Sequence, residues 1–149
     1  MDLTLNTDLG KVNVRVAAWI ENKGRILVSQ FPDGVVSLPG GRVKFSETTT
    51  EAIQREIVEE TGEHLEEIEL FSVIENFFLE EQSDTNYHEF LFIYKGQIEE
   101  RENYNGIDNS NQVIVWEPIE IIDQLKPHLF NQLVGYENKH HIVHLVNKD

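Results

Sequence analysis

The chain has 149 residues, 40% of them hydrophobic, and sets 27 Asp and Glu against 12 Lys and Arg for a net charge of −15. That length supports one folded domain with a real core, read here as residues 1–149. The acidity argues against general nucleic-acid binding, which relies on cations neutralising phosphates, and the lack of cysteine removes disulfides, thiolate zinc sites and thiol nucleophiles.

The opening MDLTLNTDLG carries acid where a secretory leader would carry base, and no apolar stretch follows it, so a cytoplasmic protein is expected. The strongest apolar runs, VAAWI and FLFIY, are strand-sized and far short of a membrane span. Residues 12–20, VNVRVAAWI, alternate and are rich in valine, predicting a strand. ENKG (21–24) reads as a turn, RILVSQ (25–30) as the returning strand, FPDG (31–34) as another turn and VVSL (35–38) as a third short strand. PGG (39–41) is expected to interrupt regular structure.

From Thr48 to Thr61 the pattern turns helical. Thr48 with Glu51 three residues on has the form of a capping box, and Gly62 is placed as a left-handed stop. Residues 69–78 predict a long strand, 79–86 a polar loop, and YHEFLFIYKG (87–96) a strand apolar on both faces and therefore covered on both. A loop follows at 99–111, then a strand at 112–118. Pro118 suits the first turn of a helix ending before Pro127, and a second helix near 128–138 and a strand at 141–146 complete the chain. Strands, one helix, more strands and late helices predict an α/β fold in which helices pack on a mixed sheet.

The helix at 48–61 holds the informative anomaly. Taking Glu56 as 0° on its wheel, Glu60 lies near 40° and Glu59 near 300°, an arc of roughly 100°. Ile53 and Ile57, at about 60° and 100°, form an apolar stripe beside them. Three carboxylates thus crowd next to the buried face, although like charges at such spacings weaken an isolated helix. Acidic runs are usually solvated surface; these can also hold hard divalent cations such as Mg²⁺, which prefer carboxylate oxygens and substrate phosphates. Arg55 can pair with Glu51 or Glu59 at i±4, and Glu47, just ahead of the helix, can also reach it.

Written as a pattern, the stretch is Gly41, five residues, Glu47, seven residues, Arg55-Glu56, Ile57, one residue, Glu59-Glu60, one residue, Gly62. This resembles the Nudix box of the Nudix hydrolases at eight of nine defined positions. The departure is Glu63, where the family has a bulky aliphatic residue; Leu65 is expected to take over that packing. LPGG (38–41) and the strand pair before it also look like the family's, so the resemblance extends over residues 12–126.

The resemblance implies an α/β/α sandwich around a mixed β-sheet and hydrolysis of nucleoside diphosphates linked to another group, with Mg²⁺ or Mn²⁺ as cofactor. By position it implies Glu56, Glu59 and Glu60 as metal ligands, the Gly40 carbonyl as a fourth, and Arg55 and Glu47 as the residues orienting the helix and its carboxylates. Glu59 is one candidate general base. Glu89, a carboxylate early in an apolar strand, is another, with a solvent-facing rim position as its plain alternative. Its neighbour His88 points to the opposite face and is read as structural.

Arg15, in a strand of small apolar residues, is a candidate phosphate contact or a structural ion pair. Phe78 is a candidate for stacking on a base, although strand aromatics are more often core. The histidines at 140–144 are not read as a metal site. A house-cleaning nucleoside triphosphate pyrophosphohydrolase is one expectation within the family. A non-catalytic nucleotide-binding module on the same fold is the alternative, disfavoured because all three box carboxylates are present. Homodimerisation is a family habit, and the partner expected is a nucleotide-type small molecule, with no membrane and no general nucleic-acid binding.

Overall fold

The computed structural model describes residues 1–106, 111–136 and 141–148. Within them, ten strands and one α-helix run in the order β1 (Thr4–Thr7), β2 (Gly10–Trp19), β3 (Glu21–Asn22), β4 (Arg25–Gln30), β5 (Val36–Ser37), β6 (Gly40–Arg42), α1 (Thr49–Thr61), β7 (Glu66–Glu80), β8 (Thr85–Gln97), β9 (Val113–Pro118) and β10 (Val143–Lys148). One mixed sheet is ordered β1-β2-β8-β7-β10, with β6 also on β2. The β2–β8 and β7–β10 pairs are parallel, and the other pairs in this sheet are antiparallel. A smaller sheet centres on β4, which pairs with β3, β5 and β9.

Alternation along β2 assigns the two faces of the larger sheet. Val16, Ala18 and Ile20 point one way and pack with Ala52, Ile53 and Ile57 of α1, closing one apolar core. Ala17 and Trp19 point the other way and pack with Ile26, Val28, Phe71, Ile74 and the C-terminal residues Leu125, Phe130 and Leu133. The sheet is therefore covered on both sides, as the doubly apolar 87–96 segment requires. Among the described residues, no helix is long and apolar enough to cross a membrane.

The ends of α1 follow local chemistry. Thr48 Oγ1 accepts from the Glu51 N–H at 3.0 Å, and the Glu51 carboxylate accepts from the Thr48 N–H at 3.2 Å, so both halves of the capping box form. Gly62, at φ 76°, turns left-handed and its N–H closes on the Val58 carbonyl.

Several expected boundaries shift. The Gly40–Arg42 segment does not simply break structure: it pairs antiparallel with Arg15–Ala17 of β2. The polar 79–86 segment shrinks to a turn because β7 and β8 pair out to Glu80 and Thr85. The first ten residues add the strand β1. The helix expected between Pro118 and Pro127 is a 3₁₀ segment, Ile119–Gln124, since Pro127 disfavours helical geometry just before it and leaves room for little more than a turn. The helix expected near 128–138 is likewise a 3₁₀ turn, Phe130–Leu133; its expected end and His140 lie outside the described residues. The final strand begins two residues later than expected, at Val143. On it, His144 bonds Glu75 at 2.7 Å, a surface pair between neighbouring strands.

Candidate active site

Arg55 organises the carboxylates around it. Its guanidinium donates to both oxygens of Glu47, at 2.7 and 2.9 Å, in a two-pronged clamp from the loop before α1. It also donates to Glu56 at 2.9 Å, to Glu59 at 3.3 Å and to the Arg42 carbonyl at 3.1 Å. Glu47 in turn accepts from the Lys44 N–H at 2.9 Å. Those bonds, led by the one from Arg55, hold the Glu47 carboxyl below the usual carboxylate range, while Glu47 and Glu56 hold the guanidinium firmly protonated. Of the three partners foreseen for Arg55, Glu47 and Glu59 are used and Glu51 is not, because Glu51 is committed to capping the helix.

The three helix carboxylates occupy different environments. Glu59 is the most open, with 32% of its side chain exposed against 14% for Glu56. Glu60 is 6% exposed. Burial pushes Glu60 up to about 8; a hydrogen bond from Gln112 opposes that rise and the nearby Glu56 adds to it. Burial also raises Glu56, against the pull of Arg55. Gly40 lies against this group. Gly41 is held to glycine by space: a Cβ there would fall on the Glu56 carboxylate.

A cavity of about 530 Å³ opens over this helix face. Asp2, Glu56 and Glu59 line it together with Arg15, Arg42, Lys44 and Arg55. Four of the 12 Lys and Arg residues of a strongly acidic chain therefore converge on one hollow. That concentration suits an anionic ligand, and the carboxylates beside it suit a cation between the ligand and the helix.

The donor set fits a hard divalent ion on two grounds. Oε2 of Glu60 is buried and accepts no hydrogen bond, a condition that calls for a proton or a cation. The ligand-capable atoms here are carboxylate and carbonyl oxygens, as Mg²⁺ and Mn²⁺ prefer. Among the described residues, no three His, Cys, Asp or Glu side chains already close into a cage, because Arg55 stands between Glu56 and Glu59.

The expected residues separate into two places. Arg15 lines the cavity with Glu56 and Glu59. Glu89 does not sit on a solvent rim: it is 6% exposed and accepts from Asn76 at 3.4 Å, and no described hydrogen bond joins it to Glu56, Glu59 or Glu60. Phe78 stacks in parallel on Tyr87, centroids 4.9 Å apart, near the far end of β7. His88 lies between Phe77 and Phe90 on the opposite face from Glu89.

Sequence reading missed Arg42, Lys44 and Gln112. Arg42 and Lys44 sit two apart in GRVK, the spacing that gives an extended segment one common face. Gln112 gave no local signal. It donates to Glu60, 52 residues away in the chain, at 3.2 Å and accepts from Ser29 of β4 at 3.0 Å, linking β4 to the helix. The departure at Glu63 also finds its reason. Its carboxylate pairs with Arg101, and Leu65, 1% exposed, fills the core beneath Gly96.

A family model described as NUDIX domain matches residues 11–136. Solved structures of the same shape include a NUDIX hydrolase from Nitrosomonas europaea, 24% identical over 82% of this chain and 85% of that one, with a TM-score of 0.63. A MutT NUDIX hydrolase from Burkholderia pseudomallei is 24% identical over 82% and 92%, TM-score 0.59. An ADP-ribose pyrophosphatase from Streptococcus suis is 18% identical over 91% and 98%, TM-score 0.55. At these identities the structures share the fold with this chain.

Proposed function

The chain belongs to the Nudix hydrolase family, matched over residues 11–136, and from that premise we propose that it cleaves a diphosphate linkage in a nucleoside diphosphate joined to another group, with a divalent cation as cofactor. The observation that carries this reading is the cavity that Glu56 and Glu59 line together with Arg15, Arg42 and Lys44. Glu56, Glu59 and Glu60, with the Gly40 carbonyl, would hold Mg²⁺ or Mn²⁺. The bound ion would neutralise the diphosphate and ease deprotonation of the attacking water.

The remaining work falls to the chain's own groups. Arg15, Arg42 and Lys44 bind the phosphate oxygens and orient the scissile linkage, supplying positive charge where negative charge develops. Arg55 with Glu47 locks the helix face so that the carboxylates keep their aim, acting as positioning residues. Glu59, the most open of the three carboxylates, takes the water proton on a carboxylate oxygen. Glu60 stays dry and is steadied by Gln112.

A hydrolysis screen with Mg²⁺ or Mn²⁺ tests the proposal across nucleoside triphosphates, ADP-ribose, nucleotide sugars and dinucleoside polyphosphates. Ion-dependent turnover that disappears in Glu59→Gln and Glu60→Gln is the expected result. Tight nucleotide binding with no turnover on any of these would replace the hydrolase with a binding module on the same fold.

A further inference from the structure

A row of polar side chains crosses the larger sheet on the face away from α1. Thr4 pairs with Asn13, Asn13 with Glu89, Glu89 with Asn76, and Asn76 with Asn147, so five strands place a polar residue at one level. Residues paired in register project to the same face. Two residues further along β2, about 7 Å away, Arg15 projects from that face and lines the cavity. At the next level in the other direction lie Lys11, Tyr87 and Phe78, the last two stacked on each other. The order along this face is thus a phosphate-binding cation, a polar row, and an aromatic wall.

The row is not a closed structural network. Asn147 donates to Oδ1 of Asn76 at 2.8 Å, and Asn76 donates to Oε1 of Glu89 at 3.4 Å. Asn13, 2% exposed, has an Oδ1 with no partner among the described residues. No described hydrogen bond falls on Oε2 of Glu89. Native proteins seldom leave buried polar atoms unpaired: a ligand, an ion or a water meets them. Asn13 Oδ1 and Glu89 Oε2 are acceptors on adjacent strands one level from Arg15, and Thr4 Oγ1, opposite Asn13, is likewise buried with no partner among the described residues.

We propose that Asn13 and Glu89 form a ledge that reads the substrate's base and that the chain prefers guanine nucleotides, an inference that rests on the hydrolase reading above. A carboxylate and an amide oxygen side by side are complementary to adjacent donors. Guanine offers such a pair, its N1–H and its exocyclic amino group, on one edge. Adenine and cytosine set an amino donor beside a ring acceptor, whose lone pair a carboxylate repels. Arg15 then holds the phosphates while Glu89 and Asn13 receive the base, so Glu89 determines specificity and does not take the water proton.

Calorimetric binding of GDP and ADP, with kcat and KM for GTP and ATP, on wild type, Glu89→Gln and Asn13→Ala tests the ledge. Wild type should favour the guanine ligand by about tenfold or more, and Glu89→Gln should bring that ratio close to one, the loss lying in KM. Asn13→Ala should lower the ratio in the same sense, which keeps the test usable if Glu89→Gln folds poorly. A wild-type ratio near one would overturn the ledge and leave the hydrolase intact. So would a variant that lowers kcat equally for both nucleotides, the signature of a proton-transfer role, or one that melts earlier with the ratio unchanged, the signature of a brace. Guanine-selective binding with no turnover would support the ledge and remove the hydrolase reading.

Discussion

Replacing Glu60 with Gln should stabilise the ion-free protein, and by an amount that grows with pH. The folded chain holds this carboxyl up to about 8, chiefly through burial, against an ordinary value of 4.5. Below 4.5 both folded and unfolded chains carry the proton, so the group contributes no pH dependence. As pH rises from 4.5 towards 8, the unfolded chain gives up its proton while the folded chain keeps it, and stability falls by about 1.4 kcal/mol per pH unit. At pH 7 the loss reaches about 3 kcal/mol, and it stops growing above pH 8. Gln keeps the oxygen that accepts from Gln112 and places an unpartnered amide where Oε2 was unpartnered before, so the two proteins should match near pH 4.5. Urea denaturation of both, in chelator at pH 4.5, 6, 7 and 8.5, reads the difference directly, because titrations elsewhere cancel. Added Mg²⁺ should then stabilise wild type and leave Glu60→Gln unmoved. A difference constant with pH, or a Gln variant less stable at pH 7, would refute the argument that burial of this charge dominates.

Arg55→Ala should cost about 2 kcal/mol, since it strands charge-assisted bonds on Glu47 and Glu56, and Arg55→Lys should not restore turnover, because a single ammonium cannot reproduce the two-pronged grip; urea midpoints and kcat/KM check both. Gly41→Ala should weaken Mn²⁺ binding by calorimetry, because its methyl falls on the Glu56 carboxylate, while the melting temperature drops only as far as mild overpacking demands, about 1–3 kcal/mol. Glu63→Leu, which supplies the aliphatic residue usual in the box, should change stability by less than about 1 kcal/mol, because its pair with half-exposed Arg101 is worth little; thermal melting of that variant and Arg101→Ala tests this.

The helix of the candidate site is legible in the sequence because its signals are local. The capping box, the stop at Gly62, the carboxylate arc and the Arg55–Glu59 spacing all fall within a few turns of one helix. Hydrophobic alternation found the long strands for the same reason. What escaped depended on contacts distant in sequence. Gln112 reaches Glu60 across 52 residues, and Asn13, Glu89, Asn76 and Asn147 become a row only once four strands are in register. Glu89 reads as an odd carboxylate in an apolar strand, but its neighbours depend on pairing that no periodicity reveals. The C-terminal segments read as helices because proline and turn signals mark boundaries without setting what fits between them; there the chain forms 3₁₀ turns that still deliver Leu125, Phe130 and Leu133 to the core.

The central claim is that the helix crowds its charges in order to hold a divalent ion against a polyphosphate. Titrating Mn²⁺ by electron paramagnetic resonance, with and without a non-hydrolysable nucleoside triphosphate, tests it on wild type and on Glu56→Gln and Glu60→Gln. The account predicts an ion bound by wild type, held more tightly when the nucleotide is present, and released in both variants. Equal Mn²⁺ binding by all three proteins, or binding indifferent to the nucleotide, would contradict it.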